Sequence, residues 1–429
     1  MMSTASTSAR NTSAPGQQLP AVHPAAQEPI PAELNGHIVR LRRYLHANPE
    51  LDRHLPTTQA AVLDALEGTE GIELHTGKAQ SSVTAVLRGA APLPEGTRRP
   101  VVLLRGDMDA LPVTEETGLE YSPTETGKMH ACGHDMHTAG LVGALLYLAQ
   151  RRDELTADVV GMFQPAEETA GGAKIMIEEG LLEAAGQPVD EAYAIHVYAD
   201  RYPHATFVSK PGTIQSGCDD LVITVHGQGG HGSAPHQAAD PVPVAAEIVL
   251  GLQTMVTRQF DPFDPVVVTV GSIKAGSAPN IIPSTATIQV TLRSFSPASR
   301  EKLVPAVQRV AKGIAEAHGM SASYRVECDF PVTVNSAEHV DYVAETVRDL
   351  FGDTAYRDLP RTEAGSQDFS EVLQRVPGAY IFLGAVPEGE DPTKVAGNHS
   401  PHAIFDDRVL GRSVRLFAEL ALRRGPLAQ

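Results

Sequence analysis

A dense group of potential metal ligands occupies residues 129–137, where the sequence reads MHACGHDMH. It combines the thiol of Cys132 with the imidazole of His134, two further histidines and an aspartate, and Gly133 leaves the backbone free to turn these groups toward one point. Imidazole nitrogens suit zinc, manganese, cobalt or nickel, and a thiolate is a softer donor. This density of donors predicts a metal site rather than a packed core.

Three later segments supply the other donors that such a site requires. They are residues 163–169 (FQPAEET), 194–198 (AIHVY) and 398–402 (NHSPH). His196 and His399 are donors of the same kind as His134. Two cations about 3.5 Å apart can hold a hydroxide, polarise a carbonyl and stabilise a tetrahedral intermediate. The combined pattern predicts a hydrolase with two divalent metal ions as cofactors.

The adjacent Glu167 and Glu168 divide naturally into a metal ligand and a general base. Neighbouring side chains at the end of a strand point in different directions, so one carboxylate can bind metal while the other reaches the metal-bound water. Alone, two adjacent glutamates are more typical of a solvated turn. Their place between an apolar strand and the turn at Gly171 and Gly172 favours the functional interpretation.

Asp109 allows two interpretations. It is either a turn or N-cap aspartate before Leu111 and Pro112, or a carboxylate that orients a metal ligand or tunes the bound water. Asp107 is more ambiguous still.

Three residues further along are candidates for substrate contact. His231 lies among glycines in GQGGHGSAPH, a tight turn that would let it approach a ligand, although an isolated histidine is more often a surface or capping residue. Asn280 in PNIIP and Arg293 in TLRSF each carry little weight alone, and Arg293 is by default an exposed strand residue.

Alternating strands and helices predict how these residues are positioned. Aliphatic runs at 83–88, 101–105, 158–163 and 191–197 are typical of strands, and 138–150 is apolar enough for a buried helix. The alternation predicts an α/β domain with a mostly parallel sheet flanked by helices. Ligands gather beyond the carboxyl ends of such strands, which is where Asp109, Glu167, Glu168 and His196 fall.

The order of elements changes from about residue 215. Strands at 221–226, 266–273, 285–294 and 322–328 and helices at 241–258 and 296–318 give the order βαββαβ of a ferredoxin-like α+β unit. Because His399 lies beyond this unit, the chain must return to the first domain. The predicted domains are a disordered tail (1–31), a catalytic metal-binding domain (32–214 and 332–429) and an inserted satellite domain (215–331).

Composition limits the partners and the compartment. A net charge of -18 over 429 residues argues against nucleic-acid binding. The three cysteines are odd in number and far apart, which favours free thiols in a reducing, cytoplasmic setting. Without an apolar stretch behind Arg10 or a run of about 18 apolar residues, neither a secretory signal nor a membrane span is expected.

Eight segments together resemble the M20 metallopeptidase and amidohydrolase family, specifically the branch of hippurate hydrolase, N-acyl-amino-acid amidohydrolases and plant auxin-conjugate hydrolases. They are LHANPEL, GDMDALPVTEETGL, GKMHACGHDMHTA, FQPAEE, GGHGSAPH, PNIIPSTATIQVTLRSF, GSQDFS and NHSP, and the similarity spans about residues 34–422. The resemblance implies Glu167 as general base and Asp109 as the assisting aspartate. It implies these metal ligands: Cys132, His134, Glu168, His196 and His399.

The resemblance also extends to the satellite domain. It implies that His231, Asn280 and Arg293 bind the substrate's carbonyl or carboxylate, some of them from the partner subunit of a homodimer, and that the satellite domain closes over the metals during turnover. One departure is Gln367 in GSQDFS, which stands where many relatives carry an acid and so changes the charge expected at that edge of the pocket.

The expected reaction is hydrolysis of the amide bond of an N-acyl amino acid, hippurate-like or N-acetylated, by metal-activated water. A dipeptidase or an N-acetyl-diamino-acid deacetylase of the same family is an alternative. In a different class, the chain would be a catalytically inactive metal-binding scaffold. Such a scaffold would be marked by a missing ligand or base, and none is missing from the sequence.

Overall fold

The computed structural model describes residues 30–169 and 171–429. Apart from Ile30 and Pro31, the predicted tail (1–31) lies outside the described residues. The helices are α1 (Ala32–Ala47), α2 (Pro56–Leu66), α3 (His134–Ala149), α4 (Gly172–Glu178), α5 (Pro241–Gln259), α6 (Pro297–Ala317), α7 (Ala337–Phe351), α8 (Ser370–Leu373) and α9 (Leu410–Leu422). The strands are β1 (Ile72–Thr76), β2 (Val83–Leu87), β3 (Thr97–Arg98), β4 (Val101–Asp107), β5 (Asp158–Gln164), β6 (Glu191–Tyr198), β7 (Phe207–Ser209), β8 (Gly212–Gln215), β9 (Gly217–His226), β10 (Gly230–His231), β11 (Val266–Ala275), β12 (Ile281–Ile282), β13 (Thr285–Ser294), β14 (Ser321–Phe330), β15 (Thr333–Asn335), β16 (Tyr356–Asp358), β17 (Gly378–Gly384) and β18 (Leu427–Ala428).

The larger sheet has eight strands in the order β1-β2-β5-β4-β6-β17-β7-β16. Its centre, β5-β4-β6-β17, is parallel, while β1, β2 and β7 join antiparallel. Consecutive residues of β4 enter different cores, with Val102 and Leu104 facing α1, α3 and α9, and Val101 and Leu103 facing α4 and α8. Burial on both faces explains the near-continuous aliphatic runs, and the predicted α/β architecture is confirmed.

Helix α3 begins earlier than the sequence indicated. The pattern predicted a helix at 138–150 after a ligand-rich loop, but α3 starts at His134. Gly133 ends the loop in the left-handed region (φ 83°), a conformation that glycine adopts at little cost. His134, Asp135 and His137 therefore lie on the first turn of a rigid, buried helix.

The second sheet is antiparallel, in the order β11-β13-β9-β14, and α5 and α6 cover one face. On β13, Ala286, Ile288, Val290 and Leu292 point into this core while the intervening residues are more exposed. That alternation is typical of a sheet with one covered face. The order βαββαβ is the predicted one, whereas the domain boundaries at 215 and 331 stay predictions. Among the described residues, no helix is both long enough and apolar enough to cross a membrane.

Candidate metal centre

The predicted donors gather at one edge of the larger sheet. Strand β4 ends two residues before Asp109, β5 ends three residues before Glu167, and His196 lies near the end of β6. Because the carboxyl ends of parallel strands meet at the same edge, these side chains come together. Helix α3 supplies His134, and the loop before α9 supplies His399.

Cys132 lies at the centre of the group. Its Sγ is 3.4 Å from His196 Nε2 and 3.3 Å from His399 Nε2. Glu168 Oε1 is 3.3 Å from His399 Nε2 and 3.9 Å from His134 Nε2. Two sets of three donors contain Cys132, each with its ligand atoms within 4.8 Å of one another. They are Cys132, His134 and His196, and Cys132, Glu168 and His399.

Hydrogen bonds fix the direction of two imidazoles. His134 Nδ1 donates to the backbone carbonyl of Asp109 (2.8 Å), and His196 Nδ1 donates to that of Val197 (2.9 Å). The His196 ring therefore directs its Nε2 toward Cys132, and the His134 ring directs its Nε2 toward Asp107 Oδ2 (3.4 Å) and Glu168 Oε1 (3.9 Å). Metal-binding imidazoles are commonly oriented in this way, with the second nitrogen held by a carbonyl or carboxylate. His134 Nε2 and Glu168 Oε1 are buried without a hydrogen-bond partner. A divalent cation would satisfy both atoms.

The local charge also favours a cation. The side chains of Cys132 and Glu168 raise the pKa of His399 to about 10. Anionic oxygen and sulfur beside neutral imidazoles are the donor set of zinc and related ions. The donor chemistry thus fits the predicted pair of divalent metals.

The two adjacent glutamates differ in environment. Burial and the neighbouring Glu168 carboxylate raise the pKa of Glu167 well above its usual value. Burial alone would raise the pKa of Glu168 as well, but the contacts with His399 and His134 lower it overall. Carboxyls whose pKa values are pushed apart in this way commonly divide into a proton carrier and a permanent anion.

Asp109 is buried and does not cap a helix. Its Oδ2 accepts a hydrogen bond from the backbone N–H of Glu168 (3.0 Å), and its Oδ1 is 3.4 Å from His134 Nδ1. It therefore contacts two of the predicted ligands. This geometry fits the functional interpretation, which stays a prediction.

The backbone around the donors adopts a conformation that L-residues rarely take. Ala166, just before Glu167, has a φ of 57°, and His399 has a φ of 68°. Non-glycine residues in this left-handed region cost roughly 1–3 kcal/mol each and cluster at functional sites. Both turns hold their donors in directions that an unstrained backbone would not give.

Gly133 is expected to be irreplaceable. A Cβ there would lie 2.4 Å from Val197 Cγ2 and 3.0 Å from the Phe405 ring, in addition to the left-handed φ. Gly133→Ala should destabilise the protein by roughly 2–5 kcal/mol, the sum of a left-handed alanine and an overpacked core. Gly186→Ala is the matched control, because Gly186 has the same φ (82°) and open space around it. Thermal unfolding should show a loss of about 1–2 kcal/mol for that control, and equal losses in both variants would contradict the packing argument.

A buried network behind the donors was not identified from the sequence. Asp107 Oδ1 is 2.5 Å from His137 Nδ1, its Oδ2 pairs with Arg105, and His137 Nε2 accepts the N–H of Val197 (2.8 Å). Asp107, His134 and His137 lie close enough to hold a metal, but both nitrogens of His137 are already hydrogen-bonded. The sequence feature that could have revealed this network is the two-residue spacing of Arg105, Asp107 and Asp109. That spacing puts polar groups on one face of an otherwise apolar strand.

Gln367 lies in the same network and is buried. Its Oε1 accepts from Arg105 (3.0 Å), and its Nε2 donates to the Tyr380 hydroxyl (2.7 Å). An amide can accept and donate at once, which a carboxylate cannot. Arg105 is already paired with Asp107 and Asp368, so a neutral side chain keeps the buried charge from becoming more negative.

The three satellite residues lie apart from the donors. His231 is exposed on β10, where its Nδ1 accepts the Ser233 backbone N–H (3.1 Å), and Asn280 lies beside it because its carbonyl accepts the N–H of Gly232 (2.8 Å). Arg293 on β13 contacts the Cys218 thiol. Among residues 30–169 and 171–429, no hydrogen bond or ion pair joins these three to the five donors. Their substrate-binding roles stay predictions.

Comparisons with known proteins identify the family. The model of peptidase family M20/M25/M40 matches residues 103–423. Thermostable carboxypeptidase 2 of Saccharolobus solfataricus is 35% identical, over 91% of this chain and 96% of its own length. Hippurate hydrolase of Campylobacter jejuni is 34% identical, over 91% and 97%.

A solved structure extends the agreement to the fold. The YXEP protein of Bacillus subtilis, described as a dinuclear metal-binding peptidase of the M20 family, superposes with a TM-score of 0.75 at 29% identity, covering 91% of this chain and 98% of that one. The resemblance found in the motifs is thereby confirmed. The chain belongs to peptidase family M20/M25/M40 and is a hydrolase that acts on amide bonds.

Proposed function

We propose that this protein hydrolyses the amide bond of N-acyl amino acids, of the hippurate or N-acetyl type, with two divalent metal ions. The observation that carries the proposal is the thiol of Cys132, shared by two sets of three donors with the buried Glu167 beside them. The similarity to hippurate hydrolase supports the substrate class.

Five side chains would hold the two ions. His134 and His196 would bind one, Glu168 and His399 the other, and Cys132 both. When bound, the ions supply an acidified water and polarise the scissile carbonyl. Asp109 would orient two of these ligands, because it accepts a hydrogen bond from the Glu168 backbone N–H and lies against His134.

Glu167 would move the proton. Its carboxylate is 3.9 Å from His134 Nε2 and belongs to a further close set with His134 and Glu168, but to neither set that contains Cys132. Burial raises its pKa, which suits a group that takes a proton from water and returns it to the leaving nitrogen. The tetrahedral oxyanion would be stabilised further by a His231 imidazole that a satellite domain brings to the site.

We also propose a homodimer joined through the satellite domain, with His231 acting on the partner's metals. His231 is exposed, and within one chain it contacts none of the donors. His231→Ala should lower kcat by about 100-fold or more, the scale for one lost oxyanion donor. Light scattering that shows a monomer at working concentration would exclude this arrangement.

Mixing two inactive variants tests which subunit supplies His231. In a mixed dimer of His231→Ala and Glu167→Gln, one site has Glu167 from its own chain and His231 from the other. Random exchange makes about half the dimers mixed, so roughly a quarter of wild-type activity should return. No recovery in verified mixed dimers would place His231 in its own chain's site.

A substrate panel tests the reaction itself. N-benzoyl, N-acetyl and N-succinyl amino acids, dipeptides and N-acetyl-diamino acids would be assayed on protein loaded with manganese, zinc, cobalt or nickel. Fastest turnover of N-benzoyl or N-acetyl amino acids is expected. Preference for peptides would move the assignment toward the carboxypeptidase relative. Two bound metals without any turnover would support the scaffold alternative.

A further inference from the structure

Two carboxylates of the motifs have no role in the proposed chemistry, and both contact one histidine. His46 of α1 places its Nδ1 2.7 Å from Asp135 Oδ2 and its Nε2 2.9 Å from Glu115 Oε2. The side chains of His46, Asp135 and Glu115 are 1%, 0% and 3% exposed. A single imidazole thus bridges LHANPEL, GHD and VTEETGL.

Both ring nitrogens of His46 lie beside carboxylate oxygens, an arrangement that favours the imidazolium form. Burial alone would lower the pKa of His46, but Asp135 and Glu115 more than offset it and the pKa is raised. Arg42 is also buried, with Nε 2.8 Å from Asp135 Oδ2. Its Nη1 is also 3.1 Å from Asp407 Oδ1, so each buried charge in this cluster has a partner of opposite charge, as buried charges require.

The two carboxylates lie on the segments that carry the metal-site residues. Asp135 follows His134 directly on the first turn of α3, and Glu115 lies on the segment after β4 that also holds Asp109. These segments meet a second time where His134 Nδ1 donates to the Asp109 carbonyl (2.8 Å). The first turn of α3 and the segment after β4 are therefore joined twice. His46 joins them through Asp135 and Glu115, and the hydrogen bond between His134 and Asp109 joins them again.

The segment after β4 also touches the loop of the last donor. The backbone N–H of Glu116 donates to the carbonyl of Pro401 (2.8 Å), two residues beyond His399. Displacement of Glu115 would move its neighbour and this contact with it. Three elements of the metal site thus depend on one side chain that contacts none of the donors.

We propose that His46 is a positioning residue, which holds the first turn of α3 to the segment after β4 so that His134 and Asp109 keep their direction toward the metals. The inference rests on the proposed metal-dependent function. It predicts that metal affinity, and not only stability, depends on His46. Partners that orient metal ligands typically change affinity by about 10–100-fold when they are removed.

The test compares His46→Gln with His339→Gln. His339 is also a buried histidine paired with a carboxylate, since its Nε2 is 3.4 Å from Glu191 Oε2, but Glu191 begins β6 at the end opposite His196. Metal-free protein would be titrated with Co²⁺ against a chelating indicator, and the visible spectrum and the melting temperature recorded. His46→Gln should bind Co²⁺ about 10–100-fold more weakly, with an altered spectrum. His339→Gln should melt earlier and bind as the wild type does.

A double variant keeps the test decisive if His46→Gln does not fold. His46→Gln with Glu115→Gln removes one cation and one anion, so the net charge of the cluster is unchanged while the bridge is lost. Wild-type Co²⁺ affinity and spectrum in the folded variant would overturn the inference, as would equal weakening in His339→Gln. Failure of the wild type to bind Co²⁺ would instead refute the proposed function.

Discussion

Glu167→Gln is expected to retain both metals and to lose about 100-fold to 10,000-fold in kcat, the range of general acid–base catalysis. The amide has the size of the carboxyl group but cannot take a proton from the metal-bound water. Removing one of two adjacent buried carboxylates also relieves repulsion with Glu168, so the variant should fold at least as well as the wild type. Turnover at saturating substrate, metal content and melting temperature are the three measurements.

Glu168→Gln is the control for this variant, because it makes the same change at the next residue. Glu168 contacts His399 and shares a donor set with Cys132, so its loss should appear first as weaker metal binding. Excess metal should then recover part of its activity, whereas excess metal should not help Glu167→Gln. Wild-type turnover of Glu167→Gln would remove Glu167 from the base role.

Cys132→Ala is expected to weaken both metal positions together. The thiol belongs to both sets of three donors, so one substitution leaves each set with two. Because removing even an orienting partner costs about 10–100-fold in affinity, loss of the shared donor should cost at least about 100-fold at each position. Titration of metal-free protein would measure both affinities, and Co²⁺-loaded protein should lose its thiolate charge-transfer absorption.

Cys218→Ala is the matched control for the thiol. Cys218 is also buried, but it lies on β9 of the second sheet beside Arg293. Its removal should leave the metal content and the charge-transfer absorption unchanged. Loss of only one metal in Cys132→Ala would show that the thiol binds a single ion and that the two sets are not bridged.

Local sequence patterns predicted much of this architecture for an identifiable reason. Strands buried on both faces require near-continuous aliphatic residues, and β4, β5 and β6 carry them. The half-covered β13 requires alternation and shows it. Ligand-binding residues follow the carboxyl ends of parallel strands, so Asp109, Glu167 and His196 could be assigned to one edge before any contact was known.

The sequence alone thus determined the family, the α/β and ferredoxin-like sheets, and the types of donor at the sheet edge, because these follow from periodicities and motifs a few residues long. Only the tertiary structure decided that Cys132 belongs to both sets of donors and that Gln367 is buried against Arg105. It alone also decided that His46 bridges the first turn of α3 and the segment after β4. These contacts join residues up to 267 positions apart. Such pairings depend on how whole elements pack, and no local pattern encodes the distance between two side chains on different elements.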